Sequence, residues 1–261
     1  LILSRGLLPD SPTTENWPWP IRVYTLGRFA VLKDDAPISV SGKTQKKPLE
    51  LLKALIALGG RSVAASTLAG ALWEDSVEGA ARHALDMAVS RLRKLLDDDR
   101  SILIQEGKLA LNDKLVWIDA HAFERLAGDF QKHPGDAGLN LAQQALARYT
   151  GAFLAGDEEA AWLLGRRDRL RSHYLRLVSA HGSALERLGQ WNQAIDAYRR
   201  ALELEPLAEA IYQGLMRCHL ELDEPAQALE TYRRCRQMLS VVLSVSPNPQ
   251  TEKLAERARC R

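Results

Sequence analysis

The chain is poor in the residues that build metal and disulfide sites. Its 261 residues include three cysteines, Cys218, Cys235 and Cys260, an odd number with no C-x-x-C pair. This predicts reduced thiols and argues against a zinc site or a disulfide framework. The six histidines contain no H-x-x-x-H pair and no cysteine partner at ligand spacing, so we expect no metal ion and no cofactor.

The sequence also lacks any set of residues that points to catalysis. It contains no G-x-S-x-G motif and no Ser/His/Asp constellation that we can identify. The stretch SGKTQKKPLELL ends like a P-loop, but the first glycine of G-x-x-x-x-G-K-[ST] would fall at position 37, which is Pro37. We therefore predict that the chain does not bind a nucleotide there and is not an enzyme.

Long apolar runs and a strong net charge are missing as well. No run approaches the ~18 residues of a membrane span, and the apolar start Leu1–Leu3 is too short for a signal peptide. We expect a cytoplasmic protein with no membrane partner. The net charge is only +2, so any basic surface that recognises nucleic acid must be local.

The first part of the chain has the element order of a winged helix-turn-helix. Residues 1–20 contain four prolines and predict an arm, with Trp17 and Trp19 docked on the neighbouring domain. The pattern then predicts strands at 21–26, 28–33 and 37–40, a helix from Lys46, a helix at 67–73 capped by Ser66, a helix at 79–96, a hairpin turning at Glu106-Gly107, and a strand at 115–118. We assign residues 21–118 to this domain.

The second part is nearly all helix and contains a repeat. Residues 181–206 carry small and aromatic residues at tetratricopeptide (TPR) spacing, and a shift of 34 residues brings Ala194 onto Ala228 and Tyr198 onto Tyr232. We assign residues 119–245 to an all-α TPR-like domain and 246–261 to a C-terminal tail. The expected fold is thus mainly α, with an α+β winged helix followed by helical repeats.

An arginine-rich run, 165–176, allows two interpretations. It is either a second site for a polyanion or, the interpretation we favour, the solvated face of a TPR-like helix. In the second case Leu170, Tyr174 and Leu177 point inward.

The helix 79–96 has a basic face opposite its apolar one. Its inward residues are spaced four, three and four apart from Leu85 to Leu96, and the segment has a local charge of +3. Side chains in the N-terminal turns of such a helix reach base edges and later ones meet phosphates. The base-reading candidates are Arg82, His83, Asp86, Met87 and Ser90, and the phosphate candidates are Arg91, Arg93 and Lys94. The alternative is an ordinary solvated face whose basic residues stabilise the helix C-terminus.

Two further places carry candidate phosphate contacts. Lys43, Thr44, Lys46 and Lys47 stand at the start of the first helix, where free N–H groups favour phosphate. They contact either a DNA backbone or only water. Lys108 lies in the hairpin turn, where Glu106 is unfavourable for the same contact.

These segments resemble a known family. The stretches TQKKPLELLKALIALGG, STLAGALWED, AARHALDMAVSRLRKLL and SILIQEGKLALN resemble the OmpR-type winged helix, in the version found in regulators with a bacterial transcriptional activator domain, such as the Streptomyces antibiotic regulatory proteins. RYTGAFLAGDEEAAW and RDRLRSHYLRL are similar to the opening of that activator domain, which is TPR-like. The resemblance covers about 21–245.

The resemblance implies a cytoplasmic transcription regulator, and more specifically an activator. Its recognition helix is expected to read promoter repeats in double-stranded DNA, while the activator domain contacts RNA polymerase or a sigma factor, a second copy, or a sensor or ATPase domain in a longer chain. Because the sequence begins at Leu1 without a methionine, we expect it to be part of such a chain. The alternative from another class is a TPR-type scaffold whose winged helix binds protein.

Overall fold

The structure is a computed structural model that describes residues 11, 13–38, 45–133, 135–157 and 160–261. The chain forms two compact units, one of residues 1–125 and 151–170, the other of residues 126–150 and 171–261. Within the described ranges, no helix has both the length and the apolar character needed to cross a bilayer.

The first unit opens with a sheet of order β3-β2-β1-β7. Strands β1 (Ile21–Tyr24), β2 (Ala30–Lys33) and β3 (Ala36–Pro37) are antiparallel, and β7 (Val116–Ile118) pairs parallel to β1. Alternation fixes the face, since Ile21 and Val23 are buried while Arg22 and Tyr24 are partly exposed. The strands predicted at 21–26 and 28–33 are confirmed with shorter bounds. The third was predicted at 37–40, but β3 is Ala36–Pro37 and Ile38 lies outside it, while Ser39 and Val40 lie outside the described residues.

Three helices and a second sheet complete the winged-helix order. The helices are α1 (Lys46–Ala57), α2 (Ala65–Leu72) and α3 (Glu78–Leu96). The sheet has the order β4-β6-β5, with β4 (Val63–Ala64), β5 (Ile102–Gln105) and β6 (Lys108–Leu111). Glu106 and Gly107 make the tight hairpin turn with φ of 50° and 72°. The predicted winged helix is confirmed.

The predicted cap of α2 is wrong. The helix begins one residue before Ser66, and its N-cap is Ala64, which offers no side-chain bond. The reason is that β4 runs directly into α2, and the N–H of Ala65 donates to the carbonyl of Gly107 at 2.9 Å. A backbone group from the hairpin therefore takes part of the role that a serine would otherwise have.

The arm docks as the sequence predicts. Trp19 is 3% exposed and packs in a cluster with Trp117 and Ala122. Its indole N–H donates to the carbonyl of Thr14 at 2.7 Å, which satisfies the polar atom of a buried ring. Trp17 packs against the same cluster.

Residues 151–157 return to the first unit as an irregular segment. The N–H of Leu154 donates to the carbonyl of Thr25 at 2.7 Å, and the N–H of Gly27 donates to that of Ala152 at 3.0 Å. The guanidinium of Arg167 then donates to the carbonyls of Phe153, Leu154 and Asp157. The segment is thus held by backbone pairing on one side and by one arginine on the other.

Part of the interpretation of the arginine-rich run is therefore corrected. Leu170, Tyr174 and Leu177 are buried as expected. Arg166, however, is not solvated, because it forms a two-bond pair with Glu124 at 2.7 and 2.9 Å and is 7% exposed. Arg167 likewise directs its donors to carbonyl groups. These two arginines are structural, so the first turns of the helix Ala161–Arg187 do not present a free basic face.

The second unit is built from helices. The helices that enter it or form it are α4 (Asp119–Phe130), α5 (Asp136–Arg148), α6 (Ala161–Arg187), α7 (Trp191–Leu204), α8 (Glu209–Glu221) and α9 (Pro225–Met238). Tyr198 is wedged between Gly182 and Gly214, where added Cβ atoms would come within 2.3 and 2.5 Å of its ring. This is the packing that the TPR spacing predicts, with small residues admitting an aromatic ring.

A helix occupies most of the segment that the sequence analysis set apart as a tail. After a π-helical turn at Leu239–Leu243, α10 (Pro249–Arg259) follows, with the Asn248 side chain accepting from the N–H groups of Gln250 and Thr251. Leu254, Ala255 and Ala258 pack in one cluster with residues of α8 and α9. An Asn-Pro pair at N-cap and N1 is a helix-start signal that the sequence offered.

Candidate nucleic-acid interface

Helix α3 is fixed in place by its inward face. Leu85, Leu92 and Leu96 are 1%, 0% and 0% exposed, and Ala81, Ala88 and Val89 complete the buried side. The helix contacts both α1 and α2. It ends at Asp97, which takes a left-handed conformation with φ of 52°. At about 100° per residue, this burial leaves one continuous face of the helix in solvent.

The structure brings the base-reading candidates together on that face. The exposed set is Arg82, His83, Asp86, Met87 and Ser90, with Arg91 and Lys94 further along the helix. Arg82 and Asp86 form an exposed ion pair, with 3.6 Å between Nε and Oδ1. A pair of this kind is worth little in water, so the guanidinium can exchange its partner for a base edge or a phosphate at little cost.

Arg93 has a different place from its neighbour Lys94. Its Nη2 donates to the carbonyl of Ile102 at 2.7 Å, while its Nε is buried and has no partner among the described residues. The side chain therefore fastens the start of β5 to α3. Arg93 is therefore already engaged within the fold, whereas Arg91 and Lys94 are exposed and form no ion pair within the described part of the chain. The phosphate contacts of these residues stay predictions, with Arg93 the least available of the three.

The start of α1 is less basic than its sequence suggests. Glu50 lies 2.8 Å from the ammonium of Lys47 and 4.0 Å from that of Lys46. Lys47 also lies over the ring of Trp73, at 5.6 Å from the centroid, and within 3.4 Å of the carbonyl of Leu72. Sequence reasoning missed the acid, although spacings of three and four residues were the available signal. Lys43 and Thr44 lie outside the described residues.

Pro48 further weakens a phosphate site at this helix start. It is the third residue of α1, so one of the free N–H groups that normally face an anion is missing. Lys46 remains the more available cation, because its side chain is 80% exposed against 50% for Lys47.

The wing presents apolar rather than basic side chains. Lys108 is exposed beside the turn, as predicted. On the preceding strand Leu103 and Ile104 are 46% and 49% exposed, which the sequence analysis did not predict. Strand β5 is an edge of its three-stranded sheet. Leu103 and Ile104 are adjacent and point to opposite faces, so neither face of the strand is fully covered at these positions.

A buried carboxylate at the start of α4 holds the residues that follow β1. Asp119 is 3% exposed and accepts from the N–H and hydroxyl of Thr25, from the N–H of Leu26 and from that of Ala120, all at 2.7–2.9 Å. Burial raises the pKa of Asp119, while the bonds from Thr25 and Leu26 act in the opposite direction. The residue is structural, and nothing in the arrangement suggests chemistry on a substrate.

The described residues contain no group of three or more His, Cys, Asp or Glu side chains placed to hold a metal ion. What this unit offers is a helix with one buried and one polar face, braced by a hairpin. That arrangement suits insertion into a groove.

Comparison with known proteins identifies the family. A profile described as "Bacterial transcriptional activator domain" matches residues 118–259, more than half of the chain. The chain belongs to the bacterial transcriptional activator domain family. A second profile, "Transcriptional regulatory protein, C terminal", matches residues 41–107, the range that holds α1–α3 and the start of the wing. The family resemblance drawn from the sequence is confirmed.

Similar proteins are named as regulatory proteins. The chain is 26% identical over 253 residues to the regulatory protein AfsR of Streptomyces griseus, covering 95% of the chain and 25% of AfsR. It is 26% identical over 243 residues to the transcriptional regulatory protein EmbR of Mycobacterium bovis, covering 89% of the chain and 61% of EmbR. The chain thus spans a quarter of the length of AfsR.

A solved structure shares the fold. A structure of Mycobacterium tuberculosis EmbR in complex with a low-affinity phosphopeptide matches with a TM-score of 0.66 and 22% identity, covering 92% of this chain and 65% of that one. The two proteins therefore share this winged helix followed by helical repeats, as the sequence analysis expected.

Proposed function

We propose that this chain is the sequence-specific DNA-binding part of a cytoplasmic transcription activator. Helix α3 enters the major groove, and the helical repeats of the second unit contact protein partners. The observation that carries the proposal is the solvent face of α3, where Arg82, His83, Asp86, Met87 and Ser90 stand together on a helix whose opposite face is buried. The family and its regulator relatives support the same function.

The side chains of this face have different expected contacts according to their position along the helix axis. Arg82 and His83 lie in the first turns, which enter a groove most deeply, and Arg82 can form two bonds to a guanine edge. Arg91 and Lys94 lie two to three turns later, where the helix meets the phosphate backbone of the DNA. Lys46 and Lys108 are the remaining described phosphate candidates, and Lys47 is secondary because Glu50 and Trp73 already engage it.

The first test is a selection of sites from a random duplex library with the wild-type chain and with Arg82→Ala. We expect the wild type to enrich a repeated motif. The variant should lose preference at one guanine in each repeat, by ~1–3 kcal/mol of discrimination. Arg100→Ala is the matched control, because Arg100 is exposed and, among the described residues, its guanidinium pairs with Asp98 alone. An identical motif for wild type and Arg82→Ala would contradict the placement of α3.

A second candidate function has a specific observation in its favour. The exposed Leu103 and Ile104 on β5 and the weak basicity of α1 also suit a winged helix that binds protein, within a TPR-type scaffold. The dependence of binding affinity on salt concentration distinguishes the two functions. A DNA-binding domain with six or more phosphate contacts should lose ~10³-fold in affinity between 50 and 200 mM salt, whereas a protein-binding module should respond far less.

For the second unit we propose protein partners of three kinds. RNA polymerase or a sigma factor, a second copy, and a sensor or ATPase domain of a longer chain are the candidates that the family suggests. Binding of the whole chain to purified polymerase holoenzyme on the selected DNA would separate the first of these from the others.

A further inference from the structure

A groove runs along α6 within the second unit. It consists of two adjoining shallow cavities of about 510 and 570 Å³ that are open to solvent and share Gln131 as a lining residue. One wall is the second half of α6, and the other includes Phe130 at the end of α4 and Leu139 on α5. We call this feature the α6 groove.

The helical wall of the α6 groove has an ordered composition. Its residues recur at steps that keep them on one side of a helix, and they are, in order, Leu175, Arg176, Ser179, Ala180, Ser183, Ala184, Arg187 and Leu188. Four small side chains lie in the middle, and an arginine and a leucine stand at each end. Small residues over two turns let the backbone of another helix approach closely, since interhelical distance depends on the side chains at the contact.

The charge of the α6 groove has one sign. Arg176 and Arg187 are exposed, they form no ion pair within the described residues, and none of the residues that line either cavity is an aspartate or glutamate. Glu186, next to Arg187 in the chain, is turned to Arg217 at 3.0 Å. The two arginines are eleven residues apart, which places them about 16 Å apart along α6 and within about 20° of the same direction.

This pattern disfavours a second copy as the occupant. If the helical walls of two copies packed antiparallel, Arg176 of one copy would lie opposite Arg187 of the other. If they packed parallel, each arginine would lie opposite its own counterpart. Like charges across an interface oppose association. An acidic partner removes the conflict, because each guanidinium can then form charge-assisted bonds to a carboxylate.

We propose that the α6 groove docks an amphipathic helix of a partner protein that carries two acidic side chains three turns apart, with apolar side chains between them. The carboxylates pair with Arg176 and Arg187, while the apolar side chains lie over Ser179–Ala184 and against Phe130 and Leu139. This is a helix-in-groove mode of recognition. It concerns the second unit alone and does not depend on the proposed DNA contacts.

The experiment is a selection from a library of helical peptides of about 18 residues. This length exceeds the ~12–15 residues below which isolated helices are only marginally stable in water. The library is randomised on one face and presented to the full chain. We expect enriched peptides to carry Asp or Glu pairs eleven residues apart. We also expect that labelled copies of them bind about tenfold more weakly to either Arg176→Glu or Arg187→Glu. The double variant should enrich Lys or Arg pairs instead. Arg199→Glu/Arg200→Glu, an equal change of charge on exposed residues of α7, should behave as wild type.

A bulky side chain among the small residues of the α6 groove gives a test that does not depend on charge. Ala180→Trp should abolish binding of the selected peptides while leaving the helical circular dichroism and Tm of the chain unchanged, because Ala180 is exposed. Enrichment without acidic pairs, or enrichment that survives both arginine variants, would overturn the proposal. So would self-association in sedimentation that the arginine variants abolish, since the occupant would then be a second copy. DNA binding measured on the same variants should be unchanged, so a failure of the DNA proposal is seen separately.

Discussion

Arg93 and Ile102 join helix α3 to the hairpin β5–β6, with the guanidinium donating to the carbonyl oxygen at 2.7 Å. Ile102 is 1% exposed and opens strand β5, so this bond sets where the hairpin leaves the helical core. Lys94, the next residue along α3, reaches into solvent instead. Of these two adjacent basic residues, Arg93 has a partner within the fold, while Lys94 is exposed and available for the phosphate contact proposed above. Mutation can separate the two roles.

We predict opposite signatures for the two residues. Arg93→Ala should lower the free energy of unfolding by about 1.5–3 kcal/mol, because a bond from a charged donor to a buried carbonyl is lost. Lys94→Ala should leave stability unchanged within about 0.5 kcal/mol and should reduce the slope of log affinity against log salt by ~1. Urea denaturation and salt titrations on the selected DNA measure the two effects. If Lys94→Ala leaves the salt slope intact, that lysine does not contact a phosphate.

Gly79 offers a second test of the proposal that α3 enters the DNA groove. It lies in the first turn of the helix, and an added Cβ would meet nothing within 4 Å. Gly79→Glu should therefore fold normally, helped by an acid near a helix N-terminus. A carboxylate at that position would nevertheless face the phosphates and bases of bound DNA, and we expect affinity to fall by about tenfold or more.

Gly165 provides the matched control for this change. It is an exposed helical glycine of α6 with equally open surroundings, and Gly165→Glu adds the same charge elsewhere in the first unit. Equal DNA affinity for the two variants, measured by fluorescence anisotropy, would mean that the start of α3 stays outside the groove.

Local patterns were sufficient to predict much of the fold. The apolar steps from Leu85 to Leu96 predict a helix at 79–96, and the structure has Glu78–Leu96. The TPR spacing likewise predicts Tyr198 packed among small residues. Both signals are local, because each residue's neighbours on the helix are set by the helical period alone. The exposed face of α3 is a consequence of the same period.

The roles of individual cations could not be predicted in the same way. Whether Arg93 meets a phosphate or a carbonyl depends on where Ile102 arrives from another part of the chain. Arg167 depends likewise on carbonyls of the 151–157 segment. Periodicity assigns a face and not a partner, so long flexible cations near the edge of a face stay ambiguous until the tertiary structure is known. Glu50 is different, since its pairing with Lys47 is local and was readable.

His121 should make the stability of the first unit depend on pH. Burial, and then the positive charges of Arg166, Arg61 and Arg125, lower the pKa of His121 to about 3, and its Nε2 is buried without a partner among the described residues. The unfolded chain binds this proton near pH 6.5, whereas the folded one does not until about pH 3. The stability from neutral His121 is therefore complete above about pH 6.5 and is lost as the pH falls toward 3.

The slope from this one group can reach about 1.4 kcal/mol per pH unit. His121→Gln should flatten the pH dependence of the free energy of unfolding over that window, measured by urea denaturation at a series of pH values. His181→Gln is the comparison. Burial also lowers the pKa of His181, but this residue lies in the second unit. An unchanged pH profile for His121→Gln would show that His121 is already protonated in the fold or exposed to water.

Gly182 should be among the least replaceable residues of the repeat. An added Cβ would lie 2.3 Å from the Tyr198 ring, whose hydroxyl donates to Glu186 at 2.6 Å and so cannot simply swing away. Gly182→Ala should lower the free energy of unfolding of the second unit by about 1–3 kcal/mol, the usual cost of overpacking a core. Trimming the ring with Tyr198→Leu in the same chain should recover part of the loss, so the two changes should be less than additive. Additive losses in thermal melts would show that the glycine is required for its backbone rather than for the space it leaves.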